Sequence, residues 1–325
     1  MAHIIVTGAN GLLATNTIID LLKNGHIVTA LVRNKSKFIL PKHVNLEVKE
    51  FDLFRTEKHG EIFKGGNILI HTAAETDQGI IVYNTYHETN VVGTENILKA
   101  ALASQIKKFV YISTSNTLGH GTYEKPGDES HAAKKPFTDS NYVKSKIKAE
   151  ELVLQYSKHF DVVILNPTFI IGAYDQKPSS GRILLSYYHK NIIFYPSGGK
   201  NFVGARDVAQ AIIKAISIAK NKEQYVLAGE NLSYKEFLKK INLLSNKKAI
   251  YIKIPNTIMI TLGHFGNVLK YLGIKNEFHL TNMRILCTKN YYQASKAEHD
   301  FCMKFNPINT SIIEAINWFK QLKLL

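Results

Sequence analysis

Tyr142 and Lys146 stand four residues apart in "YVKSK" (142–146), a spacing that puts both side chains on one face of a helix. A free phenol ionises near pH 10 and is a poor proton-transfer group at neutrality. A neighbouring ammonium lowers that value and suits the pair to acid–base work. A second chemical stretch, "VYISTSNTLG" (110–119), sets hydroxyls at the end of an apolar β-branched run. One hydroxyl from 113–115 can hold a substrate oxygen beside the phenol. A third, "VTGANGLLA" (6–14), has the form G-x-x-G-x-x-A, with glycines at 8 and 11 and Ala14 in place of the last glycine. Between a strand and a helix, such a loop lets a pyrophosphate approach backbone amides at a helix N-terminus. Gly8, Asn10, Gly11, Leu12 and Leu13 are its candidate contacts. Alone, either motif is weak: surface helices often carry Tyr/Lys pairs, and glycine loops often only turn the chain.

The elements that must position these groups are legible as an alternation. "HIIVTG" (3–8), "HIVTALV" (26–32), "NLEVKEFDL" (45–53), "ILIHTAA" (68–74), "KFVYIST" (108–114) and "DVVILNP" (161–167) read as strands. They lack polar alternation, as strands buried on both faces do. Helical patterns separate them, among them 15–25 and 90–105. The expected fold is α/β, a doubly wound parallel sheet of the NAD(P)-binding Rossmann type, with a smaller, mostly helical C-terminal substrate domain. Residues 206–220 and 224–229 read as a helix and a strand returning to the main sheet. Ser233 and Glu236 have capping-box spacing. The expected division is 1–167 plus 204–229 for the dinucleotide and 168–203 plus 230–325 for the substrate.

In dinucleotide folds an acid at the end of the second strand bonds the ribose 2′-hydroxyl of NAD. Here that strand ends in "LVRNKSK", with Arg33, Lys35 and Lys37 and no carboxylate. A guanidinium suits a 2′-phosphate, so NADP is expected rather than NAD.

The 325 residues carry 41 Lys and Arg against 26 Asp and Glu, a formal charge of +15. The cations are scattered, so nucleic acid is not the expected partner; the excess reads as solvated surface with some attraction for anionic ligands. The most apolar stretch, 258–274, is broken by His264, Asn267, Lys270 and glycines. It reads as an amphipathic helix, or two short ones, over a core or pocket, and no stable membrane insertion is expected. Cys287 and Cys302 have no metal-ligand spacing, no metal site is expected, and a reducing, cytoplasmic setting follows.

Taken together, "TGANGLLA", "FDL" (51–53), "HTAA" (71–74), "NVVGT" (90–94), "STS", "YVKSK", "NPTFIIG" (166–172) and "GARDVA" (204–209) resemble the extended short-chain dehydrogenases/reductases, the NAD-dependent epimerase/dehydratase family. The resemblance spans nearly the whole chain. "KPSSGRILL" (177–185) and "YYQASKAEHDF" (291–301) are similar to its dihydroflavonol-reductase-like branch, which also holds 3β-hydroxysteroid dehydrogenases. The resemblance implies Thr114 as the catalytic hydroxyl, Tyr142 as acid–base and Lys146 as its ribose-binding partner. It implies Asp52 and Leu53 at the adenine, Ala73 and Ala74 beside the pyrophosphate and ribose, and Pro167 to Ile170, with Phe169, at the nicotinamide. Ser115 and Asn116 fall on the substrate side; Asn90 is expected to tie a helix start to the neighbouring strand. Sugar-nucleotide 4,6-dehydratases carry an Asp-Glu pair where this chain has Ser115 and Asn116, which argues against water loss. Relatives commonly form homodimers through a four-helix bundle, here using 90–105 and 142–158.

The leading expectation is an NADPH-dependent reductase of a carbonyl on a small or medium-sized, partly apolar molecule, with apolar residues of 254–274 walling the substrate side. The alternatives are an NAD-dependent sugar or sugar-nucleotide epimerase, and a non-catalytic NADP-binding regulator on the same fold.

Overall fold

Short β-branched runs, interrupted by helices long enough to cross back over them, leave few arrangements besides a parallel sheet covered on both faces. The computed structural model of the protein describes residues 1–325 apart from Ile81, Lys275 and the Lys270 side chain. Its strands are β1 (His3–Thr7), β2 (Ile27–Val32), β3 (Leu46–Glu50), β4 (Ile68–His71), β5 (Lys108–Ile112) and β6 (Asp161–Pro167). They continue with β7 (Phe169–Ile171), β8 (Ile192–Tyr195), β9 (Gly199–Gly204), β10 (Glu223–Leu227), β11 (Glu230–Ser233), β12 (Ile250–Lys253) and β13 (Lys289–Asn290).

Seven of them form one parallel sheet in the order β10-β6-β5-β4-β1-β2-β3. The chain winds outward from β1 in one direction to β3, then returns to β4 on its other side. This reversal opens the crevice between β1 and β4 where ligands of such sheets bind. The returning strand expected near 224–229 is β10, parallel to β6.

Two apolar cores cover the sheet. On one face the Leu12–Lys23 and Ala205–Ile218 helices pack Leu13, Ile18 and Leu21 with Val208, Ile212 and Ala215 against Ile4, Val6, Val28 and Val110. On the other, the Gly93–Ala103 and Asn141–Gln155 helices supply Ile97, Leu98, Ala149 and Val153 against Ile5, Leu69, Phe109 and Val162. Alternate residues along each strand therefore serve opposite cores, which is why no polar period appears.

Outside the sheet the chain carries more strand than the helical reading expected. β9 pairs antiparallel with β11 and parallel with β7 and β13, and β8 pairs parallel with β12. These strands run two to six residues, too short to show a period. The Tyr234–Leu244 helix starts with the expected capping box of Ser233 and Glu236. Residues 256–271 form a single helix. Among the described residues no helix is long and apolar enough to cross a membrane.

Candidate active site

Because the sheet strands are parallel, the segments that leave their C-terminal ends share one edge: Gly8 after β1, Arg33 after β2, Asp52 after β3, Ala73 after β4, Thr114 after β5 and Thr168 after β6.

Gly8 has φ +65, a left-handed conformation that glycine adopts without steric penalty. A Cβ placed there would lie 2.9 Å from the Ala73 amide nitrogen and Cα, so the two strand ends touch backbone to backbone. Thr72 closes this seam by donating its hydroxyl to the Thr7 carbonyl at 2.6 Å. Gly11 stands at the N-terminus of the Leu12–Lys23 helix with no side chain capping it. The amides of that first turn point away from the helix and suit an anion. A glycine with no room for a side chain, beside an uncapped helix start, fits a pyrophosphate.

Arg33 is exposed directly beyond β2, and no carboxylate precedes it there. A carboxylate does approach from the neighbouring strand: Glu50, in register with Val32, accepts the Lys35 amide at 3.1 Å. Cross-strand register alone reveals it. Asp52 accepts the Phe54 amide at 2.9 Å, and Leu53 is half-buried against Gly93.

Tyr142 and Lys146 lie on the Asn141–Gln155 helix, and the Thr114 side chain, whose Oγ1 accepts the Asn116 amide at 3.3 Å, stands near the Tyr142 phenol. Enclosure pushes the phenol up to about 12, with Thr114 drawing it down and Glu150 adding to the rise. The phenol is therefore a proton carrier at neutral pH. Lys146 is 1% exposed; its Nζ donates to the Ile112 carbonyl at 2.8 Å and lies 4.2 Å from the centre of the Tyr111 ring. Burial brings its ammonium down to about 7, and Glu150 opposes that fall. The depression expected of Tyr142 is not what this arrangement produces, because Lys146 is turned toward β5 and desolvation dominates the phenol.

Ser115 is 2% exposed, with its carbonyl taken by the Tyr292 hydroxyl at 2.8 Å, while Asn116 is half-buried and accepts Asn290 Nδ2 at 3.1 Å. Pro167 ends β6, Phe169 and Ile170 open β7, and Thr168 between them donates to Asn201 Oδ1 at 2.7 Å. Asn90 behaves as a tie: its Oδ1 accepts the Glu75 amide at 2.7 Å and its Nδ2 donates to Ser145 Oγ at 2.9 Å.

Sequence reasoning missed three side chains here. Tyr86 sets its ring 6.1 Å from that of Tyr142, centre to centre. Asn166 donates to the Thr114 carbonyl at 3.0 Å. Glu150 accepts from both Asn166 and Thr117 at 2.8 Å. Extending the Tyr142–Lys146 stripe by one more turn would have reached Glu150; nothing local points to Tyr86.

Beside Tyr86 and the start of the Asn141–Gln155 helix opens a cavity of about 440 Å³. Gln78, Ser140, Asn141, Asn267 and Asn282 contribute polar groups to its wall. The apolar wall expected from 254–274 is not what forms it. Asn267 and Tyr271 reach the cavity from that helix, whereas Ile258, Leu262 and Phe265 are 42–61% exposed. The helix turns its small Gly263 and Gly266 inward against residues 278–283 and buries Met259, while Ile258, Leu262 and Phe265 are left outside.

The sequence profile of the NAD dependent epimerase/dehydratase family matches residues 4–228. A Synechocystis sp. protein bearing the name of a dihydroflavonol 4-reductase is 28% identical over 323 residues, covering 97% of this chain and 94% of its own. Sterol demethylase protein B of Methylococcus capsulatus is 24% identical over 323 residues, 98% of each chain. Among solved structures, gox2253 superposes with a TM-score of 0.87 at 25% identity over 100% of both chains. The chain belongs to the NAD dependent epimerase/dehydratase family, and it is an NAD(P)-dependent oxidoreductase of the extended short-chain dehydrogenase/reductase type.

Proposed function

We propose that the protein is an NADPH-dependent reductase of a carbonyl compound that carries further hydrogen-bonding groups. The observation that carries this reading is the Thr114 side chain set against the Tyr142 phenol, with Lys146 buried one turn along the same helix. When bound, NADPH supplies the hydride. Thr114 orients the carbonyl oxygen, and Tyr142, held protonated by its enclosure, gives that oxygen a proton. Lys146 presents its ammonium to the cofactor ribose. Gly8, Asn10, Gly11, Leu12 and Leu13 would cradle the pyrophosphate, Ala73 and Ala74 would border it, and Asp52 and Leu53 would flank the adenine. Pro167, Phe169 and Ile170 would meet the nicotinamide, and Ser115 and Asn116 the substrate. Exposed Arg33, with no acid at the end of β2, favours a 2′-phosphate. In this reading residues 1–167 and 204–229 hold the cofactor, and 168–203 with 230–325 shape the substrate side.

The polar wall beside Tyr86 also favours a second reading, epimerisation of a hydroxyl-rich sugar with NAD. A cofactor-oxidation screen separates the two. NADPH and NADH are each offered a panel of ketones and aldehydes, in parallel with UDP-sugars assayed for epimer formation. NADPH consumption with a ketone supports the reductase; epimer formation without net cofactor turnover sinks it.

A further inference from the structure

Glu150 has two of its neighbours in the active site by sequence and two by folding. On its own helix it stands one turn beyond Lys146 and two beyond Tyr142, so the three share a stripe. Its Oε1 accepts Thr117 Oγ1 and Asn166 Nδ2, each at 2.8 Å. Both donors also stand beside the Thr114 carbonyl: Asn166 Nδ2 reaches it at 3.0 Å with its second hydrogen, and the single Thr117 hydroxyl hydrogen is shared between Glu150 and that carbonyl, also at 2.8 Å. One carboxylate therefore gathers the helix, the turn after β5 and strand β6 around the backbone of the residue whose hydroxyl meets the phenol.

We propose that Glu150 is a positioning residue of this site, fixing the Thr114 backbone and holding the countercharge to the Lys146 ammonium. The proposal rests on the functional reading above and adds to it the origin of the charge on Lys146. A lysine in so dry a place loses its proton easily, and a buried carboxylate on the same helix face opposes that loss. The two are not in direct contact. Nζ is bonded to the Ile112 carbonyl, so the attraction acts through a poorly screened interior rather than through a hydrogen bond. Burial in turn pushes the Glu150 carboxyl up, and donation from Thr117 and Asn166, with the charge of Lys146, holds it down.

The other titratable groups around this pair are Tyr142 on the same helix, Tyr111 on β5 and His71 on β4. Burial pushes Tyr111 well above its ordinary value and brings His71 down to about 3, so neither changes charge near neutrality. Removing the Glu150 charge lowers both Lys146 and Tyr142, so the effect has a single sign.

The test is the pH dependence of NADPH affinity, read by cofactor fluorescence on the full chain, for wild type, Lys146→Met, Glu150→Gln and Glu150→Asp. Gln keeps an acceptor oxygen for Thr117 and Asn166 but has no charge; Asp keeps the charge. Affinity of the wild type should fall as pH rises through the Lys146 titration, and Lys146→Met should abolish that fall. Glu150→Gln should match wild type near pH 5 and move the fall to lower pH by about one unit, about tenfold in affinity above both midpoints. Glu150→Asp should keep the wild-type midpoint. A Glu150→Gln profile superimposable on wild type, with only the melting temperature lowered, would overturn this proposal and leave the functional reading intact. A wild type that binds neither NADPH nor NADH, or a Lys146→Met affinity equal to wild type at every pH, would overturn the functional reading and this proposal with it.

Discussion

Gly8 and Ala73 meet backbone to backbone, so that a single methyl group on Gly8 would fall 2.9 Å from the Ala73 amide nitrogen. The contact joins the ends of β1 and β4 across the crevice where the winding of the sheet reverses. Gly8→Ala must then move a strand end as well as adopt φ +65. The backbone term alone costs about 1–2 kcal/mol, and the clash adds to it. The expected outcome is a lower melting temperature together with loss of dinucleotide binding by fluorescence titration. A variant of wild-type stability and affinity would mean that this seam is far softer than its contacts imply.

Tyr142→Phe removes only the hydroxyl. Cofactor affinity should survive while turnover falls about 10²–10⁴-fold, the usual contribution of a positioned proton donor. Thr114→Ser should retain much activity and Thr114→Ala little. If Ser115→Ala abolishes turnover while Thr114→Ala is harmless, the hydroxyl facing the phenol has been assigned one residue too early.

Arg33 decides the cofactor in the proposed reading. Titration of Arg33→Ala should show NADPH affinity reduced by about tenfold, the worth of a charge-assisted hydrogen bond, with NADH little changed. Glu50, held by the Lys35 amide next to this loop, sharpens the test. Glu50→Gln should improve NADPH binding by removing a like charge near the phosphate. Equal effects on both cofactors would place Arg33 away from the 2′ position.

His71 sits fully buried between the Thr7 and Thr94 hydroxyls, at 2.8 and 3.1 Å, and burial brings it down to about 3. Between pH 6.5 and 3 the unfolded chain takes up a proton that the folded chain refuses. Stability contributed by this neutral imidazole is thus complete above the unfolded value and is lost as pH falls through that window. From neutrality to pH 5 the loss from this group is about 2 kcal/mol. Urea denaturation of wild type and His71→Asn at the two pH values checks it. The variant, less stable at pH 7, should lose less on acidification. Parallel losses would assign the acid sensitivity to other groups.

Local pattern was enough for much of this molecule. Apolar runs without polar alternation require strands covered on both faces, and helices between them leave parallel pairing as the economical solution. Parallel pairing in turn delivers Gly8, Arg33, Ala73 and Thr114 to one edge, because each follows its strand directly. Tyr142 and Lys146 share a helix face by spacing alone, and Ser233 and Glu236 make a cap for the same local reason. Other features belong to the tertiary structure because their causes are not local. β13 is two residues long and exists only because β9 offers it an edge. Tyr86 meets Tyr142, and Glu150 meets Asn166, through the order in which strands and helices stack, which no short spacing encodes. The charge states of the site are decided at that level as well. Spacing predicts an ammonium that lowers a phenol, whereas burial raises Tyr142 to about 12 and lowers Lys146 to about 7. Desolvation depends on everything packed around a group, and that exists only once the chain has folded.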